Sequence, residues 1–200
     1  LYDKNKKGKP YSCEAQVMTA GTQTGEMCKV VFKMPGASFK TLDELGVYED
    51  RQDLMRELIN SEHGFVVLAS APHQGLKTLT TVAFNTADRF TRDFSTVEDS
   101  QRPYETIENI ALTSYDSSKG ETPMNVLPDV FFKEPKVLLI RDIGTVDAWN
   151  ICCEEVNNDR LIITTIRGKD CIAALIEILK LGVDKQLLAD SLTAFIAQKL

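Results

Sequence analysis

No C-x-x-C pair occurs in this chain, and its five cysteines, at positions 13, 28, 152, 153 and 171, are odd in number. That usage argues against a zinc site and against a secreted disulfide framework; it fits a reducing, cytoplasmic compartment. Cys152 and Cys153 are adjacent within a helical pattern, where free cysteine packs as a small apolar side chain. No apolar stretch approaches the length of a membrane span and no signal peptide is visible, so direct membrane insertion is not expected. Positive charge is not in excess either: the formal net charge is −6, which disfavours non-specific binding to nucleic acid or to an anionic membrane. The basic start (Lys4, Lys6, Lys7, Lys9) is a local exception that reads as a solvated loop rather than a nucleic-acid arm. An initiator methionine is missing, and the chain stops at Gln198-Lys199-Leu200. The expectation is a piece of a longer protein, truncated in its C-terminal part.

What is present suits a sizeable core. Two hundred residues point to one domain, or one domain with a small appendage. Residues 11–19 and 26–34 read as a β-hairpin around the turn-rich Ala20–Gly25, and Pro35-Gly36 marks a boundary between residues 1–36 and 37–200. Thr41-Leu42-Asp43-Glu44 has the form of a capping box before a short helix stopped by Gly46. A second helix is expected over 50–61, with Leu54 and Leu58 on one face. Phe65–Ser70 suits a buried parallel strand. Leu79, Val82, Ala83, Thr86 and Phe90 share a helix face. Strands follow at Phe94–Val97, near 107–112, at Val137–Ile140 and at Leu161–Thr165, with a polar loop around Ser114–Glu121. Trp149, Cys152, Cys153 and Val156 mark one helix, and Ile172, Leu175, Ile176 and Leu179 another, closed by Gly182. A last helix is expected over 184–199. Alternating strands and helices predict an α/β domain with a mainly parallel sheet.

Ligands of such sheets sit at the carboxyl ends of the strands. Four polar clusters fall there: Ala71–Thr78, Glu98-Asp99, Arg141-Asp142 and Arg167. The first resembles a phosphate-binding loop, G-x-x-x-x-G-K-[ST], with Ala71 and Leu76 at the two glycine positions and Gly75 one place early. In a working loop the backbone N–H groups and the helix N-terminus hold phosphate, the lysine (Lys77) reaches the β- and γ-phosphates, and the hydroxyl (Thr78) ligates Mg²⁺. On these eight residues alone, a plain strand-to-helix turn stands as the rival reading. His73 reads as a surface residue, and His63 as packed or hydrogen-bonded at a helix–strand junction.

The order of the remaining segments resembles the hexameric P-loop ATPases that drive type II secretion and type IV pilus assembly. The likeness runs from roughly Glu14 to Leu200. His63–Leu68 is similar to that family's "HGLILV" strand, and Thr96-Val97-Glu98-Asp99 to its "TVEDP" aspartate box, with Ser100 for Pro. Glu134–Ile143 is similar to "DPDVILVGEIRD", Leu161–Arg167 to "LVLSTLH", Leu181–Asp184 to "MGVEP" and Ala197–Leu200 to "AQRL". Gly25-Glu26 and Val30–Lys33 are similar to "GEKVVLR" at the end of an upstream domain, where Lys33 takes the place of an arginine able to reach the nucleotide. The resemblance implies a RecA-like P-loop fold preceded by a β-hairpin, and ATP with Mg²⁺ as ligands. It further implies a homo- or hetero-oligomeric ring, docked on inner-membrane components of a secretion or pilus machine.

By the same resemblance, Ala71, Gly75, Leu76, Lys77, Thr78, Arg141 and Arg167 fall at nucleotide-binding positions. Glu98 and Asp142 are the catalytic carboxylates, Glu98 polarising the attacking water, and Thr78 and Asp142 are ligands of Mg²⁺ if the metal binds. Yet Asp142 replaces a glutamate, Arg141 a glycine, Gly144 an arginine and Arg167 a histidine. Phosphoryl transfer depends on positioning and charge stabilisation, so several altered elements argue against fast turnover and leave ATP and Mg²⁺ unassigned. Arg141 either repels the metal or binds phosphate in its place; alternatively Arg141 and Arg167 pair with Glu98, Asp99 or Asp142 as a protein-built network. Asp142 also reads as a cap for the following helix. Three functions are weighed: a degenerate structural or regulatory module, a slow Mg²⁺-ATPase, and a scaffold that uses no nucleotide.

Overall fold

The computed structural model describes residues 14–22, 25–33, 39 and 41–199. The basic start, Cys13, Gln23, Thr24, the Pro35-Gly36 punctuation and Leu200 lie outside the described residues, as does the side chain of Lys33. The chain divides into two units, 1–38 and 39–200. In the first, β1 (Glu14–Thr22) pairs antiparallel with β2 (Gly25–Lys33), Val17 opposite Val30 and Thr22 opposite Gly25. Both strands run further toward the turn than the residue pattern implied.

The second unit is built on β3 (Gly64–Ser70), β4 (Phe94–Asp99), β5 (Ile110–Tyr115), β6 (Val137–Arg141), β7 (Leu161–Arg167) and β8 (Leu192–Gln198). They form one sheet, in the order β5-β4-β6-β7-β3-β8, with every pairing parallel. β3 is buried at all seven positions, as a strand covered on both faces must be. Alternation divides its side chains between two cores. Phe65 and Val67 face Leu138, Trp149, Cys152, Cys153 and Ile162; Val66 and Leu68 face Leu76, Leu79, Val82, Leu139 and Ile163.

Helices α1 (Glu49–Ile59) and α2 (Leu76–Asn85) cover one face. The other is covered by α3 (Leu127–Phe132), α4 (Val146–Val156), α5 (Cys171–Leu181) and α6 (Lys185–Ser191). Short polar side chains start three of these. Thr145 Oγ1 accepts from the Ala148 N–H, Asp170 Oδ1 from Ala173 at 2.7 Å and Asp184 Oδ1 from Leu187 at 2.8 Å. Each satisfies an otherwise orphaned helix N–H. The expected α4 face, Trp149, Cys152, Cys153 and Val156, is buried throughout, with the Trp149 ring 5.4 Å from that of Phe65.

Several local expectations need correction. Residues 41–46 make a turn, not a helix; Thr41 Oγ1 does accept from the Glu44 N–H, but Gly46, at φ 75°, ends the structure before a helix can propagate. In α1 the inward stripe is Gln52, Met55 and Ile59, while Leu54 is exposed. α2 starts at Leu76, three residues before Leu79, and Phe90 lies beyond it in solvent. β5 begins at Ile110, and Ile107 is a buried anchor in the loop before it. On α5, Leu175 and Leu179 of the expected face do pack against the core beside the buried Ala174 and Ile178, while Ile172 and Ile176 are exposed. The expected helix over 184–199 stops at Ser191 and the chain continues as β8. The exposed N–H and C=O groups of β3 offered pairing partners to the β-branched and aromatic run Thr193–Ile196, and tertiary pairing outweighed the helical pattern.

Candidate functional site

β3 leads through α2 to β4, three places away in the sheet, whereas β8 returns on β3's other side. The crevice where connections diverge in this way is the usual ligand position of a parallel sheet. The structure brings the carboxyl ends of β3, β4, β6 and β7 to this edge. Ser70 pairs with Arg167 across β3 and β7, and Arg141 with Thr165 across β6 and β7.

The loop after β3 is a tight turn. Gln74 N–H donates to Ala71 C=O at 3.2 Å, His73 lies at φ 64°, and Gly75, at φ 78°, precedes the first residue of α2. The left-handed conformation at Gly75 is the one that glycine adopts at no steric cost. Leu76 is only 3% exposed and belongs to the α2 core with Val66 and Leu68. Its side chain therefore fills protein interior. Thr78 stands half-buried in the first turn of α2. Lys77 Nζ donates to Pro103 C=O at 3.0 Å and lies 5.0 Å from the centroid of the Tyr104 ring.

At the ends of β4 and β6, Glu98 and Arg141 form a buried ion pair, Nη1 to Oε2 2.9 Å, with side chains 7% and 3% exposed. The guanidinium carbon also lies 3.7 Å from the Tyr104 ring centroid. Burial pushes the Arg141 pKa down, opposed by the charge of Glu98. Burial likewise raises the Tyr104 phenol, with the charge of Asp142 adding to it. Arg141 Nε has no hydrogen-bond partner among the described residues.

Asp99 is held elsewhere. It accepts from the Ser117 hydroxyl at 2.6 Å, from Gln101 N–H at 3.0 Å and from Ser117 N–H at 3.3 Å, and the hydroxyl bond above all lowers its pKa. Asp142, at φ 60°, donates its N–H to Thr165 Oγ1 at 3.1 Å, and the Thr165 hydroxyl lies 3.4 Å from its carboxylate. It does not cap the following helix; Thr145 does. A cavity of about 190 Å³ lies among Asp99, Arg102, Tyr104, Tyr115, Ser117, Arg141 and Asp142.

The sheet edge thus gathers Lys77, Glu98, Arg141 and Asp142, and of the pairings weighed the structure makes Arg141–Glu98. Arg167 is exposed and makes no ion pair among the described residues, although its charge reaches Tyr104. His73 is exposed; His63 is also exposed, not packed at the junction. Sequence reasoning missed Pro103, Tyr104 and Thr165. The one available signal was an aromatic residue five places beyond Asp99, in a stretch without periodicity.

An all-parallel sheet with a lysine-bearing loop-to-helix turn at its switch point and carboxylates on neighbouring strand ends defines the P-loop class of α/β proteins. Within it, the chain belongs to the family described as Type II/IV secretion system protein, whose profile matches residues 12–200. Type II secretion system protein E of Pseudomonas aeruginosa is 24% identical over 187 residues, 94% of this chain and 37% of that protein. The Type IV pilus assembly ATPase PilB of the same organism is 23% identical over 195 residues, covering 96% and 34%. The chain therefore spans little more than a third of these relatives. Among solved structures, the Yersinia pseudotuberculosis ATPase DotB superposes with a TM-score of 0.67 at 12% identity, covering 98% of this chain and 55% of that one. The pilus retraction motor PilT with bound ADP gives 0.63 at 14% identity, covering 93% and 59%. At such identities the structural likeness is one of fold.

Proposed function

We propose that this chain is an ATPase-like module of a type II secretion or type IV pilus assembly motor, acting as a structural or regulatory part with little or no ATP hydrolysis. The names of its relatives supply the setting. By the same resemblance the module would take its place in an oligomeric ring at the cytoplasmic side of the inner membrane.

The observation that carries the reading is the buried Arg141–Glu98 pair. Hydrolysis of a phosphoanhydride needs a carboxylate free to orient water and a metal to gather phosphate charge. Here the glutamate is neutralised by a guanidinium that stands where the family keeps a glycine. As arranged, the chain offers a nucleotide neither its phosphate lysine nor its water-orienting carboxylate, although it keeps the two residues that the resemblance assigns to Mg²⁺. Lys77 is engaged by Pro103, Glu98 by Arg141 and Asp99 by Ser117, leaving Thr78 and Asp142 as the oxygen donors.

Steady-state hydrolysis of Mg²⁺-ATP by the full chain, beside Lys77→Ala, tests the proposal. The expected result is no turnover that depends on Lys77. Steady turnover, fast or slow, that is lost in Lys77→Ala would overturn it and favour the second reading, an active Mg²⁺-ATPase. One observation speaks for that alternative: Asp142 is bonded to a threonine hydroxyl and makes no salt bridge among the described residues.

A further inference from the structure

The segment between β4 and β5 has no regular structure, yet it is fastened at both ends. At its start, Ser100 N–H donates to Tyr115 C=O and Arg102 N–H to Asp99 C=O, both at 2.9 Å, and Gln101 Nε2 reaches Asp116 Oδ1 at 3.0 Å. At its end Ile107, 8% exposed, is anchored in the same core as Leu76 and Leu79. Between these moorings Pro103 and Tyr104 meet the two cations of the site. The Pro103 carbonyl takes a hydrogen bond from Lys77, and both Lys77 and Arg141 lie over the Tyr104 ring. An aromatic face attracts cations through its quadrupole, strongly at the buried Arg141 and more weakly at the solvent-exposed Lys77.

We propose that residues 100–107 are an autoinhibitory strap. Tyr104 and the Pro103 carbonyl occupy the cationic groups of the P-loop-like site and keep a polyphosphate anion from reaching Lys77. The inference rests on the reading of this chain as an ATPase-like module, and it adds what holds the site shut. The moorings do not involve the tyrosine ring, so replacing the ring clears the middle of the strap and leaves its ends in place.

The test is a calorimetric titration of ATP, with and without Mg²⁺, and of inorganic triphosphate. The proteins are the full-length wild type, Tyr104→Ala, Tyr104→Leu, Tyr104→Phe and the Tyr104→Ala/Lys77→Ala double variant. Tyr104→Ala and Tyr104→Leu are expected to gain at least tenfold in affinity for triphosphate and ATP. The gain should vanish without Lys77, and Tyr104→Phe, which keeps the ring, should behave as wild type. Leucine keeps apolar bulk, so it decides the matter if the alanine variant does not fold by circular dichroism. No gain in a folded ring-less variant, a gain that survives loss of Lys77, or wild-type binding as tight as that of Tyr104→Ala would each overturn the strap. The functional reading fails separately, by Lys77-dependent hydrolysis in the wild type. A wild type that hydrolyses nothing, together with ring-less variants that bind nothing, sinks the strap alone.

Discussion

Arg141 and Glu98 pair in a buried place, each with no other salt bridge among the described residues, and neither can be removed alone without consequence. Truncating Arg141 to alanine leaves a carboxylate 7% exposed with no cation beside it. Breaking a buried pair from one side costs about 3–5 kcal/mol. Replacing both partners by apolar groups of similar volume, Arg141→Met with Glu98→Leu, is expected to restore most of that or to exceed wild-type stability. Urea unfolding of the two single variants and the double variant measures the coupling; additive losses would contradict the pair. Leu76 calls for a second prediction at this scale. Reverting it to glycine is the obvious way to rebuild the phosphate loop, but its side chain is 3% exposed in the α2 core. Emptying such a site costs about 3–5 kcal/mol, so Leu76→Gly should lower the denaturation midpoint sharply whether or not it admits a ligand. A midpoint within error of wild type would show that the side chain does not pack there.

The elements show where the residue pattern was legible and where it was not. β3, β4, β6, β7 and α4 are plain in the sequence because each is a continuous apolar run or a clean helical stripe buried by its own neighbours. β8 was not, because Leu192–Gln198 becomes a strand only when β3 is beside it. The α5 stripe was legible only in part, Leu175 and Leu179, because its apolar residues surround the helix and packing selects Ala174 and Ile178 over Ile172 and Ile176. The strand-end polar residues were found from their place after apolar runs, whereas Tyr104 sits in a segment whose conformation is set by contacts far along the chain. The β3–β8 junction is tight enough to test. Gly64 lies at φ 134°, and a Cβ there would come within 2.3 Å of Thr193 Oγ1, which accepts the Phe65 N–H. Gly64→Ala should cost about 1–3 kcal/mol through backbone strain and loss of that bond, and adding Thr193→Ala should not recover it, because the positive φ remains. The Asp116 turn supplies a pH test. Its carboxyl is held down to about 2, first by the Ser118 hydroxyl and then by Lys119, the Ser118 N–H and Gln101. A depressed carboxyl stabilises above its ordinary value of about 3.9 and loses that contribution as pH falls through the folded value. The protection of the Ser118 amide, its exchange rate relative to the intrinsic rate at each pH, should therefore fall between about pH 4 and pH 2. A flat profile across that window would refute it.

At the scale of the whole molecule, ligand binding and folding are one equilibrium, and that separates a motor from a module built on the same fold. A ligand that binds only the folded state stabilises by RT ln(1 + [L]/Kd), about 2.7 kcal/mol at a hundredfold excess over Kd. For a domain of this size one kcal/mol moves the melting temperature by roughly 2–4 °C. An ATPase with a dissociation constant near ~10 μM would thus gain roughly 5–11 °C at ~1 mM Mg²⁺-ATP. Trp149, the single tryptophan, is fully buried between the sheet and the helices of its α4 side, so its fluorescence reports loss of that core. With Lys77 and Glu98 engaged within the protein, the wild-type chain should melt within about 2 °C of its ligand-free midpoint at that concentration, and Lys77→Ala should change nothing further. A shift of 5 °C or more that disappears in Lys77→Ala would mean that Lys77 leaves Pro103 for phosphate readily, and the internal network would then be a resting state of a working site.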